Sequence, residues 1–306
     1  MTGHHSWGYG QADGRLWHFR AASLCLPPLV FFLELLPEPC RAAHFDVCKN
    51  QVYTAGPSEW HKAYPIAQGN RQSPIDIDSA RAVYDPSLQP LVISYESCAS
   101  LSIANTGHSV MVEFEDTDDR TAISGGPFQN PFRLKQFHFH WGTTHSQGSE
   151  HTIDGKPFPS ELHLVHWNAR KYATFGEAAA APDGLAVVGV FLEIGKEHAS
   201  MNRLTDALYM VKFKGTKAQF RGFNPKCLLP MCLDYWTYLG SLTTPPLNES
   251  VTWIVLKEPI RISVKQLEKF RMLLFTGEED QRIQMANNFR PPQPLKGRIV
   301  RASFKA

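Results

Sequence analysis

Histidine is the residue type through which this sequence could do chemistry. Of thirteen histidines, six fall between residues 138 and 166, far more than an even spread would place there. The centre of the cluster is Phe137-His138-Phe139-His140-Trp141. In a strand, residues two apart share a face, so His138 and His140 point one way and Phe137, Phe139 and Trp141 the other. A second run follows, Glu161-Leu162-His163-Leu164-Val165-His166. There His163 shares a face with Glu161 and Val165, while His166 points away. If the two runs pair antiparallel, His163 meets His138 and His140. Three neutral imidazoles with an open fourth position form the catalytic zinc pattern. A lone histidine in a strand is ordinarily a packed, hydrogen-bonded core residue, and that plainer reading is kept for His145, His151, His166 and His198. Gln136 and Glu161 each lie two residues before a candidate ligand, on its face. Both are polar residues in runs that otherwise read as buried, where an unpaired polar group is costly. Orienting a ligand through its second ring nitrogen accounts for both.

These side chains need strands to hold them, and the surrounding sequence supplies strand patterns. Short alternating or β-branched runs occupy 91–96, 109–115, 134–141, 161–167, 184–194 and 250–256. Turn signals separate them, among them Asn105-Thr106-Gly107, Gly125-Gly126-Pro127 and Asp154-Gly155. Helical periodicity is scarce. It is clearest over 263–275, where Ser263 and Gln266 form a capping box and Leu267, Phe270, Leu273 and Leu274 make one apolar stripe. A second helix is expected from Met201 to Val211. The expected fold is mainly β (α+β): a single domain with a large, twisted, mostly antiparallel central sheet and a few short peripheral helices.

Composition narrows the function class. With 31 basic and 29 acidic residues, the chain lacks the basic excess of a general nucleic-acid binder. Its 43% hydrophobic content excludes a disordered chain. No stretch reaches the ~20 apolar residues of a membrane helix. The nearest, Leu24 to Leu36, is broken by Pro27 and Pro28 and carries Glu34. A signal peptide fits poorly, because 23 mostly polar or aromatic residues come first. The six cysteines, Cys25, Cys40, Cys48, Cys98, Cys227 and Cys232, do not make a disulfide framework. The expected setting is therefore reducing and cytoplasmic, with no nucleic-acid or membrane partner; a monomer is the expected state, although no residue pattern here points to it.

The motifs QFHFHWG (136–142), GSEHTIDG (148–155), ELHLVHWN (161–168), YWTYLGSLTTPPL (235–247) and NNFRPPQPLKGR (287–298), with RQSPIDI (71–77) and GGP (125–127), resemble those of the α-class carbonic anhydrases in order and spacing. The resemblance covers 1–14 and 57–306. It implies a zinc enzyme that interconverts carbon dioxide and bicarbonate by attack of zinc-bound hydroxide on CO2. His138, His140 and His163 match the zinc ligands. Thr243 matches the threonine that accepts a hydrogen bond from the hydroxide and donates to a glutamate, here Glu150. Thr244 matches a neighbouring substrate contact. His108 matches the proton shuttle, and Tyr9 a tyrosine in the active-site water network. Val165, Val187, Leu242, Val251 and Trp253 match the apolar wall that receives CO2. A molecule without charge or dipole suits such a wall.

Departures from the family pattern are few. Thr106 and Met111 stand where many relatives carry Asn and Asn or Gln. Ala67 and Leu247 stand where extracellular relatives carry a disulfide pair, which agrees with a cytoplasmic enzyme. Residues 15–56 form an atypical insertion, expected to be disordered, with an apolar centre and three cysteines. It reads as an unusual splice form or a mistaken gene model, or else as a genuine anchoring or interaction segment. Two other functions fit the same residues: a zinc hydrolase of activated esters, and a non-catalytic binding module. Hydration rate set against ester hydrolysis separates the first, and zinc content the second.

Overall fold

The computed structural model describes residues 56–305. Tyr9 and nearly all of the 15–56 segment lie outside them. Seven strands carry the middle of the large sheet: β1 (Ser100–Asn105), β2 (Val110–Phe114), β3 (Phe132–Trp141), β4 (Ser160–Trp167), β5 (Leu185–Ile194), β6 (Tyr235–Gly240) and β7 (Val251–Leu256). Across the sheet they run β1-β2-β3-β4-β5-β7-β6. Lys217–Gln219 extends one edge, and Arg301–Ala302 followed by Val83–Tyr84 the other. The expected strands are present, with ends shifted by a residue or two. The sheet is mixed: β5 runs parallel to both β7 and Ile260–Ile262, and Arg301–Ala302 parallel to Val83–Tyr84. The remaining pairings are antiparallel.

Alternation along these strands sorts side chains between two cores. On one face Phe137, Phe139 and Trp141 of β3 join Leu162 and Leu164 of β4 and Val188 and Val190 of β5. Helical residues Leu204, Leu267 and Phe270 close over them. On the other face Val165, Val187, Val251, Trp253, Trp236 and Tyr238 pack together. Each large side chain buried this way contributes about 1.5–3 kcal/mol, so the two cores hold the sheet from both sides. His138, His140, Glu161 and His163 share their face with the second group.

The capping box at Ser263 forms as expected: the Gln266 N–H donates to Ser263 Oγ at 3.2 Å, and the Ser263 N–H to Gln266 Oε1 at 3.0 Å. The helix runs over Val264–Arg271 and stops short of Phe275. The chain is drawn off the helix axis because the Leu274 N–H donates to the Lys212 carbonyl and the Phe275 N–H to the Ile283 carbonyl. The segment expected as one helix from Met201 to Val211 is helical throughout: a short α-helix, Asn202–Ala207, runs between the 3-10 helices Ala199–Met201 and Leu208–Val211. No helix among the described residues is long and apolar enough to cross a membrane.

Candidate metal centre

Strands β3 and β4 pair antiparallel with His138 directly opposite His163 and His140 opposite Glu161. That register brings the three rings together, with centroids 4.6–5.3 Å apart. One nitrogen from each lies within 4.8 Å of the others. The opposite nitrogen of each ring is tied. His138 Nδ1 lies 2.9 Å from Gln136 Oε1, His140 Nδ1 2.7 Å from the Asn288 carbonyl, and His163 Nε2 2.7 Å from Glu161 Oε1. These partners accept, so the tied nitrogens carry the hydrogens and donate. The nitrogens left bare are His138 Nε2, His140 Nε2 and His163 Nδ1. Gln136 and Glu161 each hydrogen-bond the histidine two residues further along the strand.

The bare nitrogens call for a cation. His140 Nε2 and His163 Nδ1 face each other at 3.1 Å. Glu150 Oε2, buried and without a hydrogen-bond partner, lies 3.4 Å from the first and 3.8 Å from the second. Electron-rich atoms so close repel unless a proton or a metal ion sits among them. Burial holds His140 below its ordinary pKa, and burial followed by the neighbouring rings holds His138 well below, so a proton is disfavoured. Three neutral imidazoles converging from rigid strands fit Zn2+. A second set, His151, Glu161 and His163, is also close. There the nitrogens sit 2.7 Å from one carboxylate oxygen, which is hydrogen-bond spacing.

Around the triad is a cavity of about 370 Å³, lined by Thr106, His108, Met111, Gln136, His138, His140, Glu150, Thr243, Thr244 and Asn288, with others. His108 is half-buried beside it, on the turn that follows β1. Gly107 adopts φ +80°, a conformation that suits glycine, and its N–H donates to Asn105 Oδ1 at 2.8 Å. The Thr106 hydroxyl donates to the Ser109 carbonyl and accepts from the His108 and Ser109 N–H groups. Its bonds thus belong to the turn. Met111 stands opposite His138 in the β2–β3 pairing and gives the wall an apolar thioether. Burial, then the Lys214 cation, lowers His108 from its ordinary pKa.

Glu150 Oε1 accepts the Arg290 N–H at 2.8 Å. Thr243 is buried in the same cavity, but no Thr243–Glu150 hydrogen bond occurs among the described residues. Val165, Val187, Val251 and Trp253 are buried together, with Leu242 packed against them. They adjoin the triad through Trp253, whose ring centroid is 4.8 Å from that of His163. His166 is on the opposite face with its neighbour Tyr95, 2.6 Å away, and burial pushes it down to about 3. It is a packed structural histidine, in line with the plainer reading.

Three contributors escape sequence reasoning. Asn288 holds His140 through a backbone carbonyl, a role no side-chain type announces. Arg290 acts on Glu150 through its N–H. His151 is a packed core histidine, as read, yet it bonds Glu161. It directly follows Glu150 in the sequence.

Comparison with known proteins agrees with this geometry. The sequence profile of the family described as eukaryotic-type carbonic anhydrase matches residues 55–304. Carbonic anhydrase 7 of Homo sapiens is 66% identical over 306 residues, covering 100% of both chains. Carbonic anhydrase 7 of Mus musculus is 65% identical over 306 residues, again covering 100% of both. The mitochondrial carbonic anhydrase 5B of Rattus norvegicus is 52% identical over 268 residues, 87% of this chain and 84% of the relative. The fold, the histidine triad and these full-length similarities lead to one conclusion: the chain belongs to the eukaryotic-type carbonic anhydrases.

Proposed function

We propose that this chain is a zinc enzyme that catalyses the reversible hydration of carbon dioxide to bicarbonate and a proton. The observation that carries the reading is the convergence of three bare imidazole nitrogens, from His138, His140 and His163, the first two of which line one cavity. Zn2+ held by these residues would supply Lewis acidity that makes water nucleophilic near neutral pH.

The chain's own residues supply position and proton traffic. Gln136, the Asn288 carbonyl and Glu161 keep each ring in the tautomer that leaves its inner nitrogen bare. Thr243 accepts a hydrogen bond from the attacking oxygen and turns its own O–H to donate to Glu150, whose Oε2 has no hydrogen-bond partner. That turns an oxygen lone pair toward the substrate carbon, an effect of orientation. The backbone N–H of Arg290 anchors the other carboxylate oxygen of Glu150. Thr244 contacts the substrate beside Thr243. Val165, Val187, Leu242, Val251 and Trp253 offer an apolar wall to CO2. His108 takes up the proton released in each cycle and passes it to buffer, and Tyr9 orders water on that route. An imidazole titrates in the range this relay needs. A cytoplasmic, monomeric enzyme completes the reading; Ala67 and Leu247 at the family's disulfide positions support the first part of it.

Stopped-flow CO2 hydration, measured beside hydrolysis of an activated ester, tests the proposal. Rapid hydration lost on zinc chelation supports it. Ester hydrolysis without hydration contradicts it.

A further inference from the structure

Behind His163 lies a buried chain of polar groups that reaches away from the cavity. Glu161 is fully buried, and its carboxylate takes four donors. Oε2 accepts the backbone N–H groups of Glu150 and His151, both at 2.8 Å. Oε1 accepts His163 Nε2–H and His151 Nδ1–H, both at 2.7 Å. The other nitrogen of His151, Nε2, lies 2.6 Å from Tyr238 Oη. Tyr238 Oη lies in turn 2.9 Å from Ser73 Oγ. Ser73 is locked reciprocally to Ser241: each N–H donates to the other's hydroxyl oxygen at 2.9 Å. Trp253 stands edge-on to His151 and His163.

From this chain we infer that Tyr238, steadied by Ser73, is a positioning residue for the metal triad. The inference rests on the reading that His138, His140 and His163 hold zinc. A carboxylate can rotate about its last bond, and hydrogen bonds from outside fix its plane. The donor that faces Glu161 Oε1 from the side away from His163 is His151. An imidazole bonded at one nitrogen can still swing about that contact, whereas one bonded at both has a single orientation. Tyr238 supplies the second bond. Without it, a buried nitrogen of His151 loses its partner, and the ring turns to find another. Glu161 then keeps its two backbone donors on Oε2 but loses one of the two ring donors on Oε1, and the acceptor that aims His163 Nδ1 at the other two rings is held less firmly. Tyr238 touches neither cavity nor metal, so its effect reads out in how firmly the ion is held.

Tyr235, on the same strand, provides the control. Its Oη donates to the Gln89 carbonyl at 3.0 Å, in a contact unconnected to the triad. The test follows Zn2+ release from the zinc-loaded full chain into excess chelator, for Tyr238→Phe and Tyr235→Phe. Near-UV circular dichroism checks the fold of each. Tyr238→Phe is expected to release zinc a few-fold faster, below the roughly tenfold that marks the low end for loss of a partner bonded to the ligand itself. Tyr235→Phe is expected to release it at the parent rate. A folded Tyr238→Phe that keeps zinc as long as the parent overturns the inference, and so does equal acceleration by Tyr235→Phe. If Tyr238→Phe does not fold, Ser73→Ala, which spares every ring, decides in the same way. A parent chain that binds no zinc overturns both this inference and the reading beneath it. A parent that binds zinc beside an unchanged variant overturns the inference alone.

Discussion

At the foot of the cavity, His140 and His163 are almost wholly buried on paired strands, and each ring is tied at its outer nitrogen. At its side, His108 is half-buried and stands on a turn between β1 and β2. The turn itself is well bonded through Asn105, Thr106 and Gly107, but those bonds hold backbone. The contrast follows the work each histidine is proposed to do. A metal ligand must be held to a fraction of an ångström, so it belongs on a sheet with its second nitrogen spoken for. A proton relay must change charge and reach toward solvent, so it sits where water has access. Asn288 joins the two regions. Its carbonyl accepts from His140, its Oδ1 accepts the Trp141 N–H, and its Nδ2 donates to the His108 carbonyl.

Substitutions at the two ends should therefore differ in kind. The largest effect is expected for His163→Ala, which removes one of three ligands: bound zinc and hydration should both fall to background. Metal analysis beside stopped-flow rates checks this, and retention of a full zinc complement would break the distinction between the two ends. His108→Ala should keep its zinc and lose turnover by about a hundredfold, the low end for a positioned proton-transfer group. Small imidazole buffers should restore the loss. Unchanged turnover in weak buffer would remove His108 from the relay.

Much of the foot of the cavity is legible from side-chain period alone. Two-residue alternation places His138 beside His140, and Phe137 and Phe139 on the opposite face. The same alternation in the second run brings up His163 with Glu161, because burial on both faces permits one register. What stays hidden acts through backbone. The Asn288 carbonyl and the Arg290 N–H carry no side-chain signature, and the chain brings them back from far along the sequence. His151 resembles any packed histidine until its partners are seen. The helix from Val264 ends early for a similar reason, since distant carbonyls of Lys212 and Ile283 capture the N–H groups of Leu274 and Phe275.

The opposite face of β3 sharpens the comparison through stability. Phe137 is fully buried against Phe114, Phe139 and Phe223. Phe137→Ala should cost about 3–5 kcal/mol in chemical denaturation while the surviving folded protein still binds zinc. Loss of zinc binding at equal foldedness would mean that the triad's geometry depends on that core more directly than the strand register implies. The smallest expected effect is at the side of the cavity. Burial lowers His108 from its ordinary pKa and the Lys214 cation lowers it further, because each disfavours the protonated ring. Lys214→Gln removes only the charge, so His108 should take its proton at a higher pH than in the parent. An NMR titration of the ring, or the pH profile of turnover, reports the shift. No movement, or a downward one, would leave Lys214 without influence on the relay.

The central claim is that three imidazoles on adjacent strands hold one catalytic zinc ion. The most direct measurement is zinc stoichiometry and CO2 hydration on the same preparation, before and after removal of the metal and again after zinc is returned. One zinc ion per chain is expected, with hydration that disappears with the metal and recovers when zinc is restored. Undiminished hydration by the metal-free chain, or a folded chain that retains no zinc, would contradict it.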